Sequence, residues 1–438
     1  MKKKEAIIIT EYERVMPEID GHIEGDGFKS IPKKAYEDLE NFVKEYKDTA
    51  DYDSLDFFNV GHNHHLGDYI SAKNYVGLVE LKSSYQIQIL PKLELGETQD
   101  ETQRVFRKML SSMKDFPAKI SDKASLKDER MNLYEIFINM YLSEVQRLLK
   151  RGLKSNYVSE DENLNKVKGK ILINEQIKNN LAHKERIYVR YDDYQINRPE
   201  NKIIKTTLLK LKTLTNSDKT VSKIRQQLTS FENVDESFNY EKDFSKVNID
   251  RSMKNYENLM RWSKVFLYDK SFTSFSGKTE ARALLFPMEK LFEAYVAKEL
   301  GKIISSEWSL STQDTGFYLF DNPEIFRLRP DLVLRNKDGR VIVLDTKWKK
   351  LNSDEKKNYG ISQADMYQMY AYSKKYKASD IWVLYPENKD MNNSGNYSFK
   401  SSIPEGENTT IHLFFVNMGE NKIQDSMIEL FERATNYG

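Results

Sequence analysis

Two carboxylates and a lysine stand out in the stretch RLRPDLVLRNKDGRVIVLDTKWKK, residues 327–350. Its segment Val341 to Leu344 is an unbroken apolar run, as in a strand buried on both faces, and it ends in charge at Asp345 and Lys347. Two apart in a strand, these side chains project to the same side, a costly placement beside a core unless they bind something. Upstream, Asp331 opens a second strand and Asp338-Gly339 supplies a turn. A two-residue loop would set Asp331 opposite Thr346, with the two aspartates on different faces. A three-residue loop of Lys337, Asp338 and a left-handed Gly339 sets Asp331 against Asp345 on one face. Adjacent carboxylates with a lysine, and no Cys or His, make a hard-oxygen site suited to Mg²⁺ or Mn²⁺, with waters left for substrate phosphates. That is the chemistry of phosphodiester hydrolysis, in which a lysine beside the metal orients the attacking water or neutralises developing charge. The Asp-x-Lys triplet alone is better explained by an ion pair at the end of a hairpin, since such triplets are common by chance.

Two flanking helices favour the chemical reading. FPMEKLFEAYVAKEL carries Glu289 and Glu293 four apart on one face, so one of them can add a third carboxylate. ISQADMYQMYAYSKKY aligns Asp365, Gln368 and Tyr372 within an arc of about 60° at 3.6 residues per turn. An amide and a phenol there can orient substrate phosphate and the lysine. From Arg327 to Lys357 there are ten Lys/Arg against five Asp/Glu. This local excess makes Arg327, Arg335, Lys349 and Lys350 candidates for tracking a DNA backbone.

The rest of the composition narrows the classes. With 68 Lys+Arg against 67 Asp+Glu the net charge is +1, so basic surface must be local. No cysteine is present, which removes disulfides, Cys-ligated zinc, iron–sulfur clusters and thiol nucleophiles. The cluster GHNHHLGD holds His62, His64 and His65, but its spacing fits no helical ligand pair, and a polar loop before a strand is expected there rather than zinc. The string SGKT ending at Thr279 lacks the P-loop glycine, whose place is taken by Phe272, so the chain is not expected to hydrolyse a nucleotide itself. No apolar run approaches a membrane span, the start is too short in apolar residues for a signal peptide, and a cytoplasmic protein is expected.

A chain of 438 residues exceeds what one core supports, and its patterning divides it in three. Residues 1–115 read as a mostly β domain, with a short helix around Leu39, Phe42, Val43 and Tyr46 and a hairpin in NYVGLVELKSSYQIQILPKL. Residues 116–270 read as mainly helical, opening with a helix that Gly152 ends. Residues 271–438 alternate helix and strand with short connections, as in an α/β domain. The whole is expected to be a multidomain α+β protein.

In order, a helix acid, Arg-Pro-Asp, a hairpin, Asp-x-Lys and Asp-x-x-Gln-x-x-x-Tyr resemble the PD-(D/E)xK nuclease superfamily in its RecB-like branch. The strings LFEAYV, RPDLVL, VLDTKWK, SQADMYQMYAY and VLYP, with NYVGLVEL, IQILPKL and VKGKI, resemble the McrC family, the nuclease subunits of McrBC-type restriction systems. The resemblance implies a carboxy-terminal restriction-endonuclease-like domain with a mixed central sheet. It implies Asp331 and Asp345 as metal ligands with the Thr346 carbonyl, Lys347 as the catalytic lysine, Glu293 as accessory acid, and Gln368 and Tyr372 as supports. It further implies a McrB-like AAA+ GTPase hexamer as partner, GTP entering only through that partner, and double-stranded DNA as substrate, the amino-terminal and middle regions docking on the ring. The competing reading is a DNA-binding or scaffold subunit in which the same residues form a structural ion-pair network.

Overall fold

The computed structural model describes residues 6–18, 27–49, 57–64, 67–93, 98–113, 133–215, 217–247, 253–268, 282–402, 408–419 and 421–436. The chain forms two compact units, one of residues 1–119 with 271–438 and the other of residues 120–270. The first and last thirds of the chain, read from the sequence as separate domains, thus contribute to one unit. The reason is a strand pairing that local patterning does not reveal. Arg282–Pro287 runs antiparallel to Tyr75–Glu80 and completes a four-stranded sheet with Gln86–Leu90 and Ala6–Thr10. The expected hairpin is the middle of that sheet, and its strand Tyr75–Glu80 is buried throughout, consistent with a partner on each side.

A second four-stranded sheet in this unit orders Phe28–Ile31, Arg14–Pro17, Gly67–Ala72 and Phe58–Asn63. His62 lies in the last of these strands rather than in a loop, because it pairs directly with Asp68 across the Phe58–Asn63/Gly67–Ala72 hairpin. The helix Lys33–Thr49 buries Leu39, Phe42 and Val43, while the side chain of Tyr46 falls outside the described residues.

The carboxy-terminal part is built on a six-stranded sheet ordered Trp308–Thr312, Leu332–Asn336, Val341–Thr346, Asp380–Pro386, Thr409–Val416 and Ser398–Ser401. It is mixed, as expected. The first three strands are antiparallel, Val341–Thr346 then pairs in parallel with Asp380–Pro386, and that strand in parallel with Thr409–Val416. Val333, Val343, Ile381, Val383, Ile411 and Leu413 pack with Met369, Tyr372 and Tyr376 of the helix Gln363–Tyr376. By the period of two, Asp345 faces the same helix as Val343.

The second unit holds the helices Leu133–Arg151, Pro199–Leu214, Asp218–Leu228 and Lys254–Tyr268, with Gly152 left-handed after the first. It also contains what the sequence reading missed, a three-stranded antiparallel sheet of Asn156–Leu164, Ile187–Gln195 and Lys170–Ile171. Mainly helical is therefore corrected to mixed for this unit. Among the described residues no helix is long and apolar enough to cross a membrane.

Candidate active site

The turn sets the geometry. Asn336 N–H donates to Arg340 O at 3.1 Å and Gly339 N–H to Asn336 O at 3.3 Å, leaving Lys337, Asp338 and Gly339 as the loop. Gly339 has φ +89° and nothing within 4 Å of a would-be Cβ, so its constraint is the backbone conformation alone. The ladder runs from Arg335 opposite Val341 to Leu332 opposite Leu344. One step further puts Asp331 opposite Asp345, the register that an odd loop requires.

Asp345 is 2% exposed, and burial, reinforced by Asp331, raises its carboxyl to about 7 against the pull of Lys347. Its Oδ2 lies 2.6 Å from Lys347 Nζ, yet this buried oxygen receives no directed hydrogen bond. Asp331 Oδ2 accepts from Thr346 N–H at 2.9 Å and from the Thr346 hydroxyl at 2.6 Å. Lys347 Nζ donates to Gln368 Oε1 at 3.2 Å, and Gln368 Nε2 donates to the Tyr372 hydroxyl at 2.8 Å. Burial alone would depress the Lys347 ammonium, but Asp345, Asp365 and Asp331 outweigh it and hold the charge on. Tyr372 is held neutral by burial and by both aspartates.

Of Glu289 and Glu293, it is Glu293 that is linked to Asp331. Gln313 Nε2 donates to Glu293 Oε1 at 2.6 Å and to Asp331 Oδ1 at 3.2 Å, bridging the two carboxylates. Nothing in the sequence marks Gln313, since an isolated Gln beyond a short strand carries no signal. Its backbone explains its role: at φ +51° its N–H donates to the Asp331 carbonyl at 2.8 Å. Glu289 is exposed and accepts instead from Asn74 Nδ2 at 3.2 Å.

The four candidate DNA contacts are scattered around this centre. Lys349 Nζ pairs with Asp365 at 2.8 Å, Lys350 Nζ lies 3.5 Å from Asp390, and Arg335 pairs with Asp314 at 2.9 Å. Arg327 is exposed, with its guanidinium 5.0 Å from the centre of the Tyr318 ring.

Among the described residues no group of three or more His, Asp or Glu side chains is arranged as a metal cage. Mg²⁺ asks for less, one or two carboxylates with water completing the octahedron. The undirected, buried Asp345 Oδ2 beside Asp331 fits that demand. His62 Nδ1 lies 2.7 Å from Asp68 Oδ1 with His64 edge-on at 5.9 Å, both histidines exposed. His65 and the SGKT string fall outside the described residues.

A family model described as McrBC 5-methylcytosine restriction system component matches residues 70–386, more than half of the chain. The chain belongs to this family. Its fold is similar to a chain in the refined half-complex from a tetradecameric assembly of Thermococcus gammatolerans McrB AAA+ hexamers with bound McrC. The TM-score is 0.67 at 19% identity, covering 98% of this chain and 99% of that one. A second similar chain, in the cryo-EM structure of the Thermococcus gammatolerans McrBC complex, gives a TM-score of 0.50 at 19% identity over 69% of this chain and 88% of that one. At such identity the likeness concerns the fold. No curated protein matches the chain in sequence.

Proposed function

We propose that this McrBC family member is the Mg²⁺-dependent endonuclease subunit of a restriction complex, with a PD-(D/E)xK nuclease centre, cutting double-stranded DNA when assembled with a McrB-like AAA+ GTPase hexamer. The observation that carries the reading is the register: Asp331 opposite Asp345, with Lys347 on the same side and held by Gln368. Asp331, Asp345 and the Thr346 carbonyl would hold the ion, with Glu293 reaching it through water or directly. When bound, the ion would polarise the scissile phosphate and acidify a water.

The chain's own residues do the rest. Gln313 fixes Asp331 and Glu293 relative to each other, so neither carboxylate is free to swing away. The Thr346 amide and hydroxyl lock one oxygen of Asp331, leaving the other toward Gln313. Lys347 keeps its proton among three aspartates and offers a positive charge where the transferring phosphoryl group becomes more negative. Arg327, Arg335, Lys349 and Lys350 are assigned to backbone phosphates. The existing ion pairs of Arg335 and Lys349 limit what each adds.

Isothermal titration with Mg²⁺ or Mn²⁺, coupled to a cleavage assay with the partner and GTP, tests the reading. Binding heat that disappears in Asp345→Ala, together with lost cleavage, supports a nuclease. Unchanged heat in Asp345→Ala would favour the scaffold with a structural ion-pair network.

A further inference from the structure

Outside the centre just described, Glu11 is a buried acid whose carboxylate is held by an indole N–H and a backbone N–H, with the Lys92 ammonium acting on it only electrostatically. It follows the strand Ala6–Thr10, is 1% exposed, and its N–H donates to Leu90 O at 3.0 Å. Its carboxylate accepts from Trp348 Nε1, 3.1 Å to Oε1 and 3.2 Å to Oε2, and from Lys92 N–H at 3.0 Å. Burial pushes this carboxyl up to about 8 in spite of those bonds, so the placement is costly.

What the placement reaches is the nuclease centre. Trp348 directly follows Lys347 and is itself buried. Its ring meets Phe292 at 5.4 Å between centroids and 60° between planes, and Phe292 directly precedes Glu293. The same amino-terminal sheet grips the start of that helix: Arg282–Pro287 leads straight into Met288–Leu300, Met288 N–H donates to Asn74 O at 2.9 Å, and Asn74 holds Glu289. An open cavity of about 140 Å³, lined by Glu11, Trp348, Pro386 and Met418 among others, lies beside the indole.

We propose that Glu11 is a positioning residue of the nuclease centre, holding Trp348 so that Lys347 and the Glu293 helix keep their places. The proposal rests on the nuclease reading above and deepens it: the amino-terminal sheet becomes a structural part of the centre as well as a candidate docking region. A carboxylate satisfies both the indole and the Lys92 amide, and a glutamine can do so with its single oxygen in the Oε2 place, where both donors converge. An apolar residue leaves the buried indole N–H without its acceptor, removes the partner of the Lys92 N–H, and lets the indole turn toward the cavity.

The test uses the full chain assembled with its AAA+ partner, GTP, Mg²⁺ and linear duplex DNA, and reads the single-turnover cleavage rate at saturating DNA. Wild type is compared with Asp345→Asn, Glu11→Gln, Glu11→Leu, Trp348→Phe and the Glu11→Leu/Trp348→Phe double variant. We expect Glu11→Leu and Trp348→Phe each to cleave at least tenfold more slowly with DNA affinity within twofold. Glu11→Gln should restore near-normal rates, and the double variant should be no slower than Glu11→Leu. Wild-type rates in Trp348→Phe, or additive losses in the double variant, overturn the proposal. Because Trp348→Phe keeps an aromatic ring on Phe292, it decides the matter even if Glu11→Leu does not fold. Failure of the nuclease reading shows differently, as Asp345→Asn cleaving as fast as wild type.

Discussion

The hairpin bearing Asp331 and Asp345 and the antiparallel pair Asn156–Leu164/Ile187–Gln195 are both two-strand ladders, held together by opposite means. In the first, Leu332, Val333, Leu334, Ile342, Val343 and Leu344 are all buried completely, so apolar burial on two faces fixes the strands. In the second, Val189 alone is buried among the described side chains, the others being half-buried or exposed, and the ladder is laced by cross-strand pairs. Arg190 sits opposite Asp161 and donates to it through two bonds of 2.6 Å, and Tyr194 sits opposite Tyr157 with ring centres 5.1 Å apart. Tyr191 adds a 2.6 Å bond to Glu162, two places along from its cross-strand partner Glu160. A core-built hairpin can hold a carboxylate where water is scarce and its charge matters. A surface-laced one presents side chains to whatever approaches.

The largest contrast should appear at Asp345 and Lys347. Asp345→Asn and Lys347→Ala are each expected to reduce cleavage by several orders of magnitude, measured as initial rate in the assembled complex. Asp345→Asn should leave the thermal midpoint unchanged or raised, since it removes a buried carboxylate whose ionisation is opposed.

Glu11 gives the next largest effect, in stability against pH. Its folded value near 8 lies above the usual 4.5, so between those values the folded chain keeps a proton that the unfolded chain has lost. Stability contributed by this group is complete below 4.5 and falls as pH rises to about 8, by about 1.4 kcal/mol per pH unit. Denaturant midpoints of wild type minus Glu11→Gln, taken from pH 5 to 9, should fall and then level. A flat difference would mean that Glu11 is ionised in the folded chain.

The turn separates the two hairpins further. Gly339→Val places a β-branched residue at φ +89° and should cost on the order of 1–3 kcal/mol by urea denaturation, weakening Mg²⁺ binding with it. Gly339→Asn should cost much less. In the surface ladder the counterpart is Arg190→Ala, the smallest effect: faster amide exchange along Ile187–Gln195 with metal binding untouched. A loss of metal binding there would break the comparison.

These two ladders also show what the sequence could reveal. Val341 to Leu344 announces a buried strand, and parity with the glycine turn fixes the facing of two carboxylates. Asn156–Leu164 reads NYVSEDENL, whose run of acids resembles a solvated loop because its partners lie about 30 residues away. Gly169 in VKGKI has a physical reason visible only in three dimensions, since a Cβ there would meet Arg190 O at 2.3 Å. Glu293 was distinguishable from Glu289 by resemblance, but the Gln313 bridge that secures it depends on a backbone conformation with no local signature. The joining of the two chain ends in one unit was hidden for the same reason, as the pairing of Arg282–Pro287 with Tyr75–Glu80 is non-local.

The most direct test of the central claim is a crystal structure of the chain soaked with Mn²⁺, using anomalous scattering to locate the ion. The account predicts a manganese peak between the Asp331 and Asp345 carboxylates, on the side of Lys347, absent in Asp345→Ala. Full manganese occupancy elsewhere, with Asp345 still paired to Lys347 and no peak between the aspartates, would contradict it.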